Sequence, residues 1–178
     1  MDRLKIMEVI IAPNQLLRVK TKPVRVITPE FKKTIAKMVQ LTQTFSDPEG
    51  VGLASTQIGK DLAYFVMLKN GKEFIAVINP KILSYSKTTK LFFEGCLSIP
   101  RYWGEIKRSA SVEVSYLDIE GKQVKEKLTG NNAWFFQHEF DHLQGKLFMD
   151  LVLEQKSRLF KAVGRDRAGA EIFEEVKI

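Results

Sequence analysis

The chain has 178 residues and a mass of 20.4 kDa, with 44% hydrophobic and 28% charged residues, the balance of an ordinary globular domain rather than a disordered or membrane-embedded one. Its formal charge is +7 and its isoelectric point about 9.4; with no nucleic-acid motif beside it, that excess reads as a lysine-rich solvated surface. The single cysteine, Cys96, excludes an internal disulfide framework and suits a reducing cytosol.

One domain over residues 1–178 is expected. The N-terminal apolar run, Ile6 to Ala12, is short and interrupted by Glu8, so it reads as neither a signal peptide nor a membrane span. A cytoplasmic protein without a membrane or DNA partner is the expectation. Residues 6–12 form a short strand or a buried extended segment, ended by Pro13-Asn14. Thr28-Pro29-Glu30 is a helix start, with Thr28 as cap, proline in the first turn and an acid at the positive end. Phe31, Ile35, Met38, Val39 and Leu41 continue it at helical spacing to about Phe45, and Ser46-Asp47-Pro48-Glu49-Gly50 ends it.

Residues 50–57, Gly-Val-Gly-Leu-Ala-Ser-Thr-Gln, form a glycine-containing loop that serves either as a simple turn or as a site wall. Strand-like runs follow at Ala63–Leu68 and Phe74–Asn79, joined by an Asn70-Gly71 hairpin turn and closed by Pro80. Ile82–Ser86 is another short strand. Glu94-Gly95-Cys96-Leu97-Ser98-Ile99-Pro100 interrupts the sheet pattern, and residues 109–129 read as a further hairpin. Beyond the next helix, Gln155–Val163 reads as a short basic helix and Ile172–Ile178 as a closing strand.

Gly130-Asn131-Asn132 leads into that helix, which carries His138-Glu139-Phe140-Asp141-His142 and stops near Gly145. The pattern is H-E-x-x-H. Residues four apart share a helix face, so both imidazoles can reach one metal ion while Glu139 stands beside it as a proton carrier. These are the only histidines in the chain. The bland reading is two histidines satisfying local hydrogen bonds on a half-buried helix. A third ligand is required, and the histidine that extends this motif in some peptidases is replaced by Phe148. Downstream glutamates (Glu154, Glu171, Glu174, Glu175) sit in no recognisable motif. Cys96 is the other candidate: a thiolate suits zinc or ferrous iron, although a lone cysteine is commonly just buried. One cysteine and two histidines leave a fourth position for water, the catalytic arrangement.

Residues 50–57, the segment Glu94-Gly95-Cys96-Leu97-Ser98 and the segment Gln137-His138-Glu139-Phe140-Asp141-His142 together resemble the three motifs of peptide deformylases, in the family's order. The resemblance runs to about Asp150. It implies an α+β fold of antiparallel strands surrounding a central metal-binding helix, with further helices near the N- and C-termini. It implies removal of the formyl group from the formyl-methionine of newly made polypeptides, with release of formate. Cys96, His138 and His142 would bind one divalent metal ion, Fe(II) foremost, with Zn(II) or Ni(II) able to take the site. Glu139 would be general base and acid; the Gln57 side chain and Leu97 N–H would hold the developing oxyanion. Val51, Gly52, Gly95, Trp134 and Phe135 would contact substrate, and Glu94 would pair with Arg108 to brace the cysteine loop.

The chain departs from that pattern in places. Ser55 stands where the family usually has alanine, and its hydroxyl needs a partner. Trp134 and Phe135 are bulkier than expected beside the methionine pocket; they either pack into the core or reshape that pocket. The resemblance implies a C-terminal helix that docks on the ribosome, and Lys156, Arg158, Lys161, Arg165 and Arg167 suit either RNA phosphates there or a solvated surface helix. The alternatives are an H-E-x-x-H metallopeptidase and a non-catalytic relative that binds nascent chains or ribosomes.

Overall fold

Helix α1 (Pro29–Gln43) begins where expected: the Thr28 side chain accepts a hydrogen bond from the Phe31 N–H at 3.1 Å. The computed structural model describes residues 7–178, so Ile6 lies outside the described residues. Residues 7–12 are extended but pair in no strand. Instead the Ile10 N–H donates to the Gln57 carbonyl and the Ala12 N–H to the Ser98 carbonyl, each at 2.8 Å. This segment therefore ties together two of the three motif segments.

Nine strands are present among the described residues, all paired antiparallel and divided between two sheets. The first sheet holds β1 (Gly52–Ala54), β2 (Tyr64–Lys69), β3 (Glu73–Tyr85), β6 (Ser111–Leu117) and β7 (Gln123–Thr129), in that spatial order. The second holds β4 (Thr89–Cys96), β5 (Ile99–Ser109), β8 (Leu159–Arg165) and β9 (Glu171–Val176). Helix α2 (Gly130–Leu143) carries the H-E-x-x-H motif, and α3 (Phe148–Gln155) follows it.

Strand period 2 explains how the first sheet is buried on both faces. Phe65 and Met67 of β2 join Ala133, Phe136 and Leu143 of α2 in one core, with Val112 and Val114 of β6. The alternate residues, Tyr64 and Val66, face the opposite side and pack with Ile35 and Met38 of α1. A third core forms where Phe148 and Val152 of α3 meet Ile106, Leu159 and Cys96 on the second sheet. Gly104 is needed there: a Cβ on it would lie 2.5 Å from Val152 Cγ2. Thus α2 is held against a sheet that α1 covers from behind, and the motif helix is central.

The Asn70-Gly71 turn forms as expected, with both residues at positive φ (+55° and +64°). The hairpin at residues 109–129 is β6–β7, and the closing strand is β9. Three expectations are corrected. Pro80 does not close a strand; β3 runs through it to Tyr85, with a register shift between Ile78 and Lys81 that absorbs the missing N–H. Residues 94–100 do not interrupt the sheet but form the β4–β5 hairpin, in which Cys96 pairs with Ile99 around Leu97-Ser98. No helix spans residues 155–163. α3 ends at Gln155, with Lys156 at φ +51°, and Leu159–Arg165 is strand β8, paired with Tyr102–Gly104 of β5 and with β9. The helix near the C-terminus is α3 alone.

Candidate metal centre and active site

Two segments far apart in sequence supply the ligands. The end of β4 presents Cys96, and α2 presents His138 and His142. The Sγ and one nitrogen of each imidazole all lie within 4.8 Å of one another. His142 Nε2 is 3.3 Å from Cys96 Sγ. The other imidazole is oriented from behind: His138 Nδ1 is 3.1 Å from Glu94 Oε2, which fixes the proton on Nδ1 and leaves Nε2 free as a ligand.

Glu94 is buried and so is its partner, Arg108. The guanidinium donates to both carboxylate oxygens, Nε to Oε1 and Nη2 to Oε2, the latter at 2.9 Å. Its Nη1 donates to Asp141 Oδ2 at 2.8 Å. The expected pair is therefore a buried, bidentate anchor rather than a surface contact. Burial raises the Glu94 carboxyl, but Arg108 and then His138 outweigh it and hold the group below its usual range. His138 itself would be neutralised by burial, yet Cys96 and Glu94 hold it well above the ordinary histidine value. Burial, then the charges of His138 and Arg108, push His142 well below it.

Glu139 is buried beside the ligands, and its Oε2 has no hydrogen-bond partner among the described residues. Burial pushes its carboxyl up to about 7, against the pull of His138 and Arg108. That value suits a group that must both take and give a proton near neutrality. Gly52 of β1 is what makes room for it: a Cβ at position 52 would lie 2.3 Å from Glu139 Oε1.

Gln57 lies on the 3-10 turn after β1, and its Oε1 accepts from the Ala54 N–H at 2.8 Å. That contact fixes the amide so that Nε2 points at the centre, 3.6 Å from Cys96 Sγ and 3.0 Å from Ser98 Oγ. The Ser55 hydroxyl finds its partner in the Leu62 carbonyl at 2.5 Å.

A narrow cleft opens onto these groups, lined by Val51, Gly52, Gln57, Gly95, Cys96, Leu97, Trp134, Phe135, His138 and Glu139, with Pro48 and Glu49 at one side. Trp134 and Phe135 thus stand on the cleft wall. Trp134 stacks on Phe92 at 4.8 Å and leans on Phe135 at 5.0 Å, while Phe135 also backs onto the core. The structure brings the residues of the three motifs together with Trp134, Phe135 and Arg108, whereas Glu154 pairs with Lys146 and Glu171, Glu174 and Glu175 lie on β9. Two partners escaped the sequence reading: Ser98, which shares Gln57, and Asp141, which completes the Arg108 anchor. Asp141 lies inside the H-E-x-x-H motif, three residues beyond His138, so helical spacing puts it on the same side of α2 as His138.

A thiol and two imidazoles that converge in a buried pocket fit a divalent transition metal. The unpartnered Glu139 Oε2 faces the same space. The arrangement can hold an ion with an open position, a proton carrier and an amide donor around one small acyl group.

The profile of the polypeptide deformylase family matches residues 6–158. A peptide deformylase of Rhodopseudomonas palustris is 40% identical over 158 residues, covering 85% of this chain and 86% of that protein. The crystal structure of peptide deformylase from Thermotoga maritima superposes with a TM-score of 0.78 at 40% identity, covering 82% of this chain and 97% of that one. A Synechococcus elongatus peptide deformylase solved in complex with actinonin has a TM-score of 0.77 at 33% identity, covering 85% and 81%.

Proposed function

The chain belongs to the polypeptide deformylase family, and from that premise we propose how its own residues remove the formyl group from newly made formyl-methionyl peptides. The observation that carries the reading is the convergence of Cys96, His138 and His142 beside a carboxylate, Glu139, that has no other partner. Cys96, His138 and His142 hold the ion. When bound, it supplies Lewis acidity toward the formyl oxygen and toward water. Glu139 takes the proton from the attacking water and hands it to the departing amine. The Gln57 amide and Leu97 N–H donate to the oxygen on which charge develops. Glu94 and Arg108 keep His138 aimed and touch no reacting atom.

The substrate's first side chain lies against Val51, Gly52, Gly95, Trp134 and Phe135. With an indole and a phenyl ring on that wall, the pocket favours flat or slender side chains more strongly than a wall of small aliphatic residues would. Fe(II) is the proposed working ion, as the motif resemblance implies; Zn(II) and Ni(II) satisfy the same donors. Newly made chains as substrate place the work in the cytoplasm. No helix among the described residues is long and apolar enough to cross a membrane. A ribosome contact after Gln155 would be made by the β8–β9 hairpin. Residues 156–178 hold six cations and four anions, and Lys161 and Arg165 pair across strands with Glu174 and Glu171. Such contact is weak and fades with salt.

Formate release from formyl-Met-Ala-Ser, by protein reconstituted anaerobically with Fe(II), Ni(II) or Zn(II), tests the reading. Glu139→Ala should retain its metal and lose turnover by about 10²-fold or more. Full activity in that variant, or no formate with any of the three ions, overturns it.

A further inference from the structure

The β8–β9 hairpin lies beyond residues 6–158 that match the family, yet it reaches both walls of the cleft. On one side is the loop 46–50, which supplies the lining residues Pro48 and Glu49. Asp47 of this loop accepts a hydrogen bond from Arg165 Nη2 at 2.7 Å, across 118 residues of sequence. Gly50, at the loop's other end, is pressed against α1, where a Cβ would lie 1.9 Å from the Thr42 carbonyl oxygen. The loop is therefore held at one end by packing and in its middle by the hairpin.

The other wall is Gly95, next to Cys96. The Trp103 ring lies flat on it: a Cβ on Gly95 would fall 3.0 to 3.1 Å from three ring atoms. Trp103 is in turn gripped by aromatic rings. Phe93 stacks on it at 5.3 Å, and Phe173 of β9 meets it edge-on at 5.9 Å and Phe93 at 5.2 Å. Phe160 of β8 closes on Phe93 from the side at 5.5 Å.

We propose that the C-terminal hairpin is a substrate-positioning brace, in which Arg165 holds the Asp47 loop and Phe173 holds Trp103 on Gly95, so that the two cleft walls keep a fixed separation. The inference rests on the hydrolase reading above and adds to it what governs peptide binding. Neither Arg165 nor Phe173 touches the metal ligands, Glu139 or Gln57, so the brace acts on the grip of the peptide and not on the hydrolytic step. The Asp47–Arg165 contact is partly exposed, with side chains 33% and 58% accessible. A single such contact changes an equilibrium by only a few fold.

A charge series at position 165 reads this directly. With metal-loaded protein and formyl-Met-Ala-Ser, Arg165→Lys should match wild type. Arg165→Ala should raise KM about two- to fivefold, and Arg165→Glu should raise it further, because Glu171 and Asp47 both then face a like charge. In all three kcat stays within about a factor of two. Phe173→Ala should raise KM as well. Amide hydrogen exchange across residues 46–51 needs no turnover, and it should accelerate in the Ala and Glu variants and not in the Lys variant. Should wild type release no formate, the hydrolase reading fails, and peptide affinity from isothermal titration takes the place of KM. Equal exchange in all four proteins overturns the brace, as does unchanged KM or affinity in Arg165→Ala or Phe173→Ala, or a fall in kcat alone.

Discussion

Adding one methyl group at Gly52 should cost the enzyme its proton carrier without costing it the fold. Gly52 lies in strand β1 opposite Met67, a backbone conformation that alanine adopts freely, so the strand itself does not object. The obstacle is Glu139: the new Cβ would lie 2.3 Å from Oε1, 2.7 Å from Cδ and 2.9 Å from Cγ. Ordinary contact begins near 3.4 Å, so the carboxylate must retreat by about 1 Å, a misplacement that typically lowers a rate about 10²-fold. The side chain is buried on a packed helix and has little room to find an equivalent position. Gly52→Ala should therefore show kcat for formate release lowered about 10²-fold, with metal content and thermal midpoint close to wild type. The assay is steady-state kinetics on metal-quantified protein, backed by circular dichroism. A kcat within threefold of wild type at full metal occupancy would refute the assignment of Glu139 as the proton carrier served by that space.

Removing Glu94 leaves the buried Arg108 with Asp141 as its one remaining carboxylate, so Glu94→Ala should lose about 3 kcal/mol of stability, the low end for a broken buried pair; metal affinity should fall about 10- to 100-fold as His138 loses its orienting acceptor. Denaturant unfolding of the metal-free protein separates the first effect from the second, and a loss below about 1 kcal/mol would contradict a buried anchor. Asp150 accepts hydrogen bonds from Arg18 and from the Leu147 N–H. Burial raises its carboxyl, but Arg18 and then Leu147 prevail and lower it below the ordinary 3.8. A depressed value contributes stability that is complete above pH 3.8 and vanishes as pH falls through the folded-state value. The difference in thermal midpoint between wild type and Asp150→Asn should accordingly be constant near neutrality and close in strong acid; a difference independent of pH would refute this. The Fe(II) form should lose activity in air while the Zn(II) form does not, because iron and its thiolate ligand are both oxidisable; an iron form stable to prolonged aeration with its iron retained would count against Fe(II) as the working ion.

The parts of the centre that sequence disclosed are those whose spacing is local. His138 and His142 face one way because a helix turns once per 3.6 residues, and the helix is long enough to be read from its own apolar positions. The Asn70-Gly71 turn was equally plain, since few other pairs adopt two successive positive φ angles. Cys96 was legible as the chain's one thiolate ligand, whereas Gln57 and Arg108 were legible only through motif resemblance, because nothing local says which distant strand they will meet. The basic run after Gln155 has a helix-like composition yet forms strand β8. Its lysines and arginines suit a helix surface, but Lys156 turns left-handed and Leu159 and Ala162 are buried on a strand. The partner that decides this, Glu171–Val176, lies across a turn and contributes a pairing no local pattern records. Pro80 misled for a similar reason: the bulge that tolerates it belongs to the pairing of β3 with β6.

The buried anchor of Glu94, Arg108 and Asp141 has one more consequence. One guanidinium serves two carboxylates, and the three groups fasten the cysteine hairpin to α2 without help from an ion. Folding and loading are then separate events, unlike in a zinc finger, whose ligands disperse when the ion leaves. A chelator should empty this protein and leave it folded, ready to be refilled. It is a socket built before the plug arrives, so which ion a finished molecule carries is settled by supply, and the same molecule can be refitted when supply changes.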